Sequence, residues 1–307
     1  MAEAGLLPPG VMVFERGWLS ANNILFVSPQ HTALIDSGYC THARQTVELV
    51  RGVLRERPLD LLLNTHLHSD HCGGNAILQE RYPAVETRIP PGLAAVVRRW
   101  DPVALSYEPT GQQCPRFRIE GVLAPGSDIV LGQQTWQVHA APGHDQHSLV
   151  LFEPGCGALI SADALWENGF GVVFQELEGE DAFDQVAATL DLIESLQAKT
   201  VIPGHGGVFT DVRSALGAAR RRLDGFSRDP RKHARHAAKV LLKFKLLEIQ
   251  RAHMDELLAW TARTPYFALV HKRWFSDVPR GEWEQELVEA LMRSGAAIRD
   301  SEWICNL

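Results

Sequence analysis

The chain has 307 residues, of which 45% are hydrophobic and 22% are charged, a composition typical of a soluble globular protein. A chain of this length can bury a sizeable core without disulfide bonds. Its formal net charge of −7 excludes a general attraction to nucleic acid or anionic membranes, so any affinity for anions requires a local basic patch.

The cysteines and the N-terminal residues indicate the cellular compartment that we expect for the protein. Five cysteines occur, an odd number, and no two are separated by two residues, which argues against a disulfide framework and a structural zinc knuckle. Residues 1–9 have no basic start and no long apolar core, so they do not predict a signal peptide. No apolar stretch approaches the roughly 20 residues that span a bilayer. We therefore expect a cytoplasmic protein without membrane association.

The first two thirds of the chain predict strands that alternate with amphipathic helices. Strands are predicted at residues 11–14, 23–27, 32–36, 59–64, 129–131, 136–140, 149–152, 158–161 and 200–202. Helices are predicted at residues 41–55, 75–82 and 182–197. This alternation indicates a layered α/β protein.

The composition changes after about residue 212, where strand signals nearly vanish. Helical patterns cover residues 213–223, 231–263 and 282–293, and residues 296–304 are compatible with a short hairpin. We place a boundary within residues 212–228 and predict a first domain at 1–215 and a mainly helical region at 216–307.

The densest chemical signal is a run of metal-ligand residue types directly after the strand predicted at 59–64. It contains His66, His68, Asp70 and His71. In an extended segment His66 and His68 lie on one face, because alternate side chains point the same way. Two imidazoles on one face can hold an ion such as Zn²⁺. Asp70 and His71 lie where the chain turns, so they can face a second ion beside the first.

Further ligand candidates follow three other predicted strands. His144 lies in an Ala-Pro-Gly-His segment, Asp163 ends an Ile-Ser-Ala-Asp segment, and His205 lies in a Pro-Gly-His-Gly segment. A carboxylate has two oxygens and can bridge two metal ions, which suits Asp163. Asp36 ends another predicted strand, where it either caps a turn or supports the site from behind the ligands.

Together these blocks resemble the metallo-β-lactamase superfamily, over about residues 10–210 and in the same order along the chain. The resemblance implies a four-layer αββα sandwich with the site at one edge of the sheets. It implies that His66, His68 and His144 bind one metal ion, that Asp70, His71 and His205 bind a second, and that Asp163 bridges them. Zn²⁺ is the expected ion, with Fe and Mn²⁺ as alternatives.

The implied chemistry is hydrolysis by a metal-bridging hydroxide, with Asp70 as the catalytic group that accepts a proton. Cys72 follows His71, but we interpret it as a small buried thiol. His31, His139 and His147 are interpreted as ordinary surface or core residues. An Asp at position 163 resembles the glyoxalase II-like thioesterase and nuclease branches, whereas common zinc β-lactamases carry a Cys there.

A basic segment near the C-terminus leaves the substrate class open. Residues 228–245 contain seven basic residues and one acidic residue, a local balance of +6. The segment is interpreted as a solvated helix face, as a cradle for an anionic thiol carrier such as glutathione or coenzyme A, or as a contact for a nucleic-acid backbone. The helical end resembles that of glyoxalase II and also the winged-helix tail of some superfamily ribonucleases.

Three functional hypotheses follow. The first is hydrolysis of a small-molecule ester or thioester, with an anionic thioester as the expected substrate. The second is a phosphodiesterase or ribonuclease, whose activity would fall when Lys239 and Lys243 are neutralised. The third is a non-hydrolytic iron-binding redox protein, ranked last because no partner module is recognisable. Substrate-binding residues and the oligomeric state stay open at this level.

Overall fold

Two β-sheets lie face to face in the first two thirds of the chain, in a computed structural model that describes residues 7–307. The expectation about a signal peptide therefore falls mostly on residues outside the described part. The first sheet has six strands in sequential order, β1–β3 antiparallel and β3–β6 parallel. They are Val11–Phe14 (β1), Asn23–Val27 (β2), Thr32–Ile35 (β3), Leu61–Leu63 (β4), Glu86–Ile89 (β5) and Gly121–Val122 (β6).

The second sheet has five strands in the order β11-β10-β9-β8-β7. All neighbours are antiparallel except β10 and β11, which are parallel. The strands are Asp128–Leu131 (β7), Gln134–Ala140 (β8), Leu149–Glu153 (β9), Ala158–Ala162 (β10) and Thr200–Pro203 (β11).

Helices cover both outer faces of the paired sheets. In chain order the helices before residue 230 are Ala43–Leu54 (α1), Ser69–Cys72 (α2), Asn75–Arg81 (α3), Ala94–Arg99 (α4), Phe174–Glu178 (α5), Ala182–Ser195 (α6) and Val212–Arg228 (α7). α1 and α3 pack on the first sheet, and α6 and α7 pack on the second. The predicted four-layer αββα sandwich is confirmed.

The period of the strands explains the layering. In β4, Leu61 and Leu63 pack between the sheets, whereas Leu62 faces the outer helices. All three leucines are buried because both faces of this central strand are covered. Trp136 is fully buried and fills the space between the sheets.

The C-terminal region has its own apolar core, with a small three-stranded sheet in the order β12-β14-β13. Its elements are the helices Pro230–Ile249 (α8), Met254–Arg263 (α9), Pro265–Trp274 (α10) and Arg280–Arg293 (α11), and the strands Arg251–His253 (β12), Ala297–Asp300 (β13) and Trp303–Asn306 (β14). The predicted terminal hairpin is confirmed, since β13 pairs with β14. The region is mainly helical, as predicted.

One predicted element is wrong. The sequence pattern predicts a continuous helix over residues 231–263, but α8 ends at Ile249 and the chain forms β12 before α9 begins. Gln250 has a φ of 66°, which cannot continue a right-handed helix. Pairing of β12 with β14 provides the long-range interaction that helical periodicity could not reveal.

Two further features bear on the predicted organisation. α7 crosses the predicted boundary at residue 215, and its buried face packs on the second sheet. Within residues 7–307, no helix is both long enough and apolar enough to cross a membrane.

Candidate functional site

Three histidines converge at one end of the paired sheets. His66 and His68 follow β4, and His144 follows β8. Nδ1 of His68 lies 3.1 Å from Nε2 of His66 and 2.8 Å from Nε2 of His144. The chain thus gathers three imidazole nitrogens from two sheets at one point, and they could share one ion.

A second cluster lies beside the first. Asp70 and His71 belong to the short helix α2, whereas Asp163 and His205 follow the parallel strands β10 and β11. Nε2 of His205 is 3.0 Å from Oδ2 of Asp70, and Nε2 of His71 is 3.9 Å from the same oxygen. One ligand atom from each of the four residues lies within 4.8 Å of the others.

Asp163 touches both clusters. Its Oδ1 lies 3.4 Å from Nε2 of His71, and its Oδ2 lies 3.4 Å from Nε2 of His144. The preceding residue, Ala162, has a φ of 47° that turns the chain sharply at the end of β10. A side chain at position 204 would collide with Oδ1 of Asp163, so the glycine there lets the His205 loop approach.

Asp36 lies behind the second cluster and orients His71. Its Oδ2 accepts a hydrogen bond from Nδ1 of His71 at 2.8 Å. The same carboxylate accepts hydrogen bonds from the backbone N–H and the hydroxyl of Thr65 at 2.9 and 2.8 Å. Because Nδ1 of His71 is engaged with Asp36, its Nε2 is the ring nitrogen that faces the cluster.

His144 is fixed in a similar way. Its Nδ1 donates to the carbonyl of Val172 at 2.6 Å, which leaves Nε2 facing His68 and Asp163. A side chain at position 171 would collide with the His144 ring, so Gly171 is required for this approach. The loop after Asp163 therefore positions a residue of the other cluster.

Electrostatics keeps the first cluster neutral and the acids ionised. Burial lowers the pKa of His66, His68 and His144, for His144 to about 4, so these imidazoles offer lone pairs at neutral pH. Burial alone would raise the pKa of Asp163, but the charge of His71 and His205 outweighs it and holds the pKa well below its ordinary value.

The surroundings of His71 indicate that the second cluster is suited to bind a cation. Burial lowers its pKa, but the carboxylates of Asp163, Asp36 and Asp70 outweigh burial and raise the pKa well above its ordinary value. Its Nε2 is buried and has no hydrogen-bond partner within residues 7–307. Carboxylates around an unpartnered ring nitrogen are an environment that favours a cation. The donor set of both clusters therefore fits two divalent metal ions.

A cavity of about 680 Å³ opens onto both clusters, and His68, Asp70, His144, Asp163 and His205 contribute to its wall. Much of the remaining wall is apolar or aromatic and includes helices of the C-terminal region. Examples are Leu67, Leu105, Phe174, Val240, Phe244 and Tyr266. A site with grouped polar ligands at one end and an apolar wall is typical of a small-molecule pocket.

Two tryptophans that the sequence pattern does not single out lie beside the clusters. The ring of Trp18 stacks on that of His205 at 5.4 Å, although Trp18 is 57% exposed. Trp166 donates from Nε1 to Oδ1 of Asp163 at 3.2 Å. Trp166 lies three residues after Asp163, a spacing that could have drawn attention to it; Trp18 carries no such signal.

The other residues considered from sequence lie outside both clusters in the described part of the chain. Cys72 is fully buried, as predicted, and its Sγ lies 3.2 Å from the hydroxyl of Tyr107. His31 lies beside Asp60, and His139 lies on β8. His147 lies in the cavity wall.

The family model of the metallo-β-lactamase superfamily matches residues 16–205, more than half of the chain. The chain therefore belongs to this superfamily, and the resemblance noted in the sequence is confirmed.

Curated relatives narrow the comparison. The chain is 36% identical over 145 residues to a hydroxyacylglutathione hydrolase of Dechloromonas aromatica, covering 47% of this chain and 43% of the relative. It is 33% identical over 137 residues to one from Gloeobacter violaceus, covering 43% and 44%. A third, from Acidiphilium cryptum, is 31% identical over 186 residues, covering 60% and 63%. The chain thus spans about half the length of the first two relatives.

Solved structures extend the likeness to the whole chain. A metallo-β-lactamase family protein of Thermus thermophilus superposes with a TM-score of 0.56 at 18% identity, covering 98% of this chain and 99% of that one. The Rm3 metallo-β-lactamase superposes with a TM-score of 0.54 at 22% identity, covering 70% and 90%. Similarity at this identity shows the fold alone.

Proposed function

We propose that this chain is a hydrolase that binds two divalent metal ions and cleaves a small-molecule thioester. The observation that carries the proposal is the contact of Asp163 with both ligand clusters at the wall of an apolar cavity. A carboxylate that faces two groups of imidazole donors is suited to hold two ions close together.

Each cluster receives one ion in this proposal. His66, His68 and His144 would hold the first, Asp70, His71 and His205 would hold the second, and Asp163, which faces both clusters, would be shared between them. When bound, such ions lower the pKa of a water molecule and polarise a carbonyl oxygen. Zn²⁺ is the proposed metal because imidazole and carboxylate donors suit it, and Fe and Mn²⁺ are compatible with the same donors.

Asp70 is the proposed proton acceptor. Its Oδ2 contacts His205, and the residue also contributes to the cavity wall, so its carboxylate faces both the second cluster and the substrate space. The pKa of Asp70 is lowered: burial raises it, but the charge of His71 and a hydrogen bond from His205 outweigh burial. Asp70 is therefore ionised at neutral pH and can receive a proton.

Two observations support a thioester as the substrate. The similar curated proteins are named hydroxyacylglutathione hydrolases. The wall beside the clusters is apolar on the side formed by Leu67, Phe174 and Phe244, which suits an acyl group. Phosphodiester hydrolysis is the second candidate, favoured by basic residues that the structure groups on α7 and α8.

The location and the domain organisation belong to the proposal as well. A cytoplasmic location agrees with the five free cysteines of the described part. The proposed domains are residues 1–215 and 216–307, and α7 spans the boundary between them.

Turnover of a substrate series tests the proposal. Metal-loaded protein would be assayed with acyl thioesters, a lactone, a phosphodiester and a β-lactam, in parallel with His66→Ala and the control His139→Ala. We expect thioester hydrolysis in the wild type and the control, and none in His66→Ala. Hydrolysis of the phosphodiester alone would overturn the thioester assignment, and hydrolysis that survives in His66→Ala would overturn the site.

A further inference from the structure

A basic groove adjoins the cavity, and none of the residues that line it belongs to either cluster. It has a volume of about 630 Å³ and lies between α7 and α8. Six arginine and lysine side chains line it, whereas Asp229 is the acid in its wall. The six are Arg221, Arg222, Arg231, Lys232, Arg235 and Lys239.

Most of these cations have no counter-charge. Arg231 pairs with Asp277 at 2.9 Å. Within residues 7–307 the other five form no ion pair with a carboxylate. Asp229 is engaged too, since its Oδ1 accepts from the backbone N–H of Lys232 and caps α8. Grouped cations without partners repel one another, so the groove is prepared for an anion that the chain does not supply.

The groove and the cavity share part of their walls. Arg222 and His236 line both, and the cavity continues from them to His144 and Asp163. Arg222 is held in place by a hydrogen bond to the carbonyl of Phe170 at 3.3 Å. A single extended ligand could therefore place an anionic end in the groove and a reactive group at the clusters.

The two compartments differ in a way that identifies the class of ligand. The groove is cationic, whereas the cavity wall includes Leu67, Phe174 and Phe244. An RNA chain would carry phosphates along its whole length, so it would place charged groups beside the apolar side chains of the cavity wall as well as in the groove. The aromatic ring in the groove wall, Phe226, is only 7% exposed, so it provides no surface on which bases stack.

We propose that the groove binds the phosphorylated end of a nucleotide-bearing thiol carrier and that the cavity binds the acyl group attached to its sulfur. This substrate class, acyl thioesters of the coenzyme A type, rests on the proposed thioesterase function and narrows it. Glutathione carries carboxylates and an ammonium group but no phosphate, so it would leave most of the unpaired cations unmatched.

The reaction balances without a further reactant. The oxygen of water forms a bond to the carbonyl carbon, and the carbon–sulfur bond breaks with its electron pair leaving on sulfur. The proton released by the water passes to the thiolate, with Asp70 positioned to carry it. The products are a carboxylate, with its proton released to solvent, and the free thiol.

Steady-state kinetics on the metal-loaded full chain test the inference. The groove variant Arg235→Gln/Lys239→Gln would be compared with the control Arg263→Gln/Lys272→Gln, which removes two exposed cations outside the groove. Each would be assayed with one acyl group carried on coenzyme A, on glutathione and on the short neutral thiol N-acetylcysteamine.

We expect the KM for the coenzyme A thioester to rise at least about 10-fold in the groove variant, with kcat unchanged, because the lost charges contact the carrier and not the reacting bond. The KM for the N-acetylcysteamine thioester should not change, and the control should match the wild type. Equal kinetics of the groove variant and the wild type with the coenzyme A thioester would overturn the inference.

Direct binding separates this inference from the proposed function. Calorimetry with free coenzyme A on wild type and groove variant requires no turnover; we expect binding to weaken at least about 10-fold in the variant. If no thioester is hydrolysed, the proposed function fails and this proposal with it, whether or not coenzyme A binds. If thioesters are hydrolysed but coenzyme A binds equally to both proteins, the inference alone fails. It also fails if a short RNA, titrated in the same way, is the only ligand whose binding the groove variant loses.

Discussion

The ligand clusters at the edge of the sandwich and the basic groove beside them differ in how their charged side chains are held. At the edge, Asp163, His71 and Asp36 are buried and hold one another in place by short contacts. In the groove, Arg221 and Arg235 are exposed on long flexible side chains. Rigid buried donors are suited to fix reacting atoms, whereas flexible cations contribute affinity for a remote part of the ligand. Changes at the edge should therefore alter kcat, and changes in the groove should alter KM.

Removing the charge of Asp163 should have the largest effect on that contrast. We expect Asp163→Asn to lower kcat by about 10³-fold, equivalent to about 4 kcal/mol, because the carboxylate that joins the two clusters is lost. The exposed Asp184→Asn serves as the matched control. The kcat of each protein would be measured with a neutral thioester at saturating metal. If the kcat of Asp163→Asn is within a few-fold of that of the wild type, the proposed difference between the edge and the groove is wrong.

A matched pair of core truncations asks whether the two regions unfold together. Leu190 lies in the core of the second sheet and Leu287 in the C-terminal core, and both are fully buried. Each Leu→Ala change should lower the free energy of unfolding by roughly 2–5 kcal/mol. Since α7 packs on the sandwich and continues directly into α8, we expect one transition in denaturant. Two transitions, with Leu287→Ala moving only one, would contradict this.

A smaller effect is expected for substitution of Asp36, which orients His71 at the edge of the sandwich. The hydrogen bond from His71 to Asp36 fixes which ring nitrogen faces the cluster. Asp36→Asn should weaken metal affinity by about 10- to 100-fold, measured by chelator competition, with the fold retained by circular dichroism. Unchanged affinity would mean that the surrounding packing alone orients His71.

The smallest expected effect concerns His233, where α8 meets the loop that fixes His144. Its Nε2 accepts from the backbone N–H of Val173 at 3.3 Å, and Val172 is the partner of His144. Burial, with a smaller contribution from His236, lowers the pKa of His233 to about 3. As the pH falls, His233 is therefore protonated in the unfolded chain before it is protonated in the folded chain. The free energy of unfolding consequently falls as the pH drops below about 6.5.

His233→Gln removes this titration. The wild type should lose about 1 kcal/mol more stability than the variant between pH 7 and pH 5.5. Denaturant unfolding at both pH values measures the difference. Parallel pH dependence of the two proteins would show that His233 does not titrate between the folded and unfolded states.

Much of the site could be predicted because it is encoded locally. His66, His68, Asp70 and His71 lie within six residues, and Asp163 and His205 end strands whose apolar runs are plain in the sequence. The strand ends meet because the two sheets are packed face to face. The sequence therefore predicted which residues the structure brings together at one edge.

The cavity wall and the groove could not be predicted in the same way. The basic segment at 228–245 has one helical pattern, but its lysines make different contacts. Lys239 lines the groove. Lys243 donates to the carbonyl of Ala296 and to the side chain of Asn306, both at 2.6 Å. Neutralising Lys243 would therefore disturb the C-terminal hairpin and not report on nucleic acid. Arg221 and Arg222 come from a different helix, which only tertiary packing reveals.

The most direct test of the two-metal site is the metal stoichiometry of the full chain. Protein stripped with a chelator would be dialysed against Zn²⁺, and bound metal would be counted by elemental analysis together with protein concentration. We expect two ions per chain in the wild type and fewer than two in Asp163→Asn, with the Asp184→Asn control unchanged. A wild-type chain that binds no ion, or a single ion unaffected by Asp163→Asn, would contradict it.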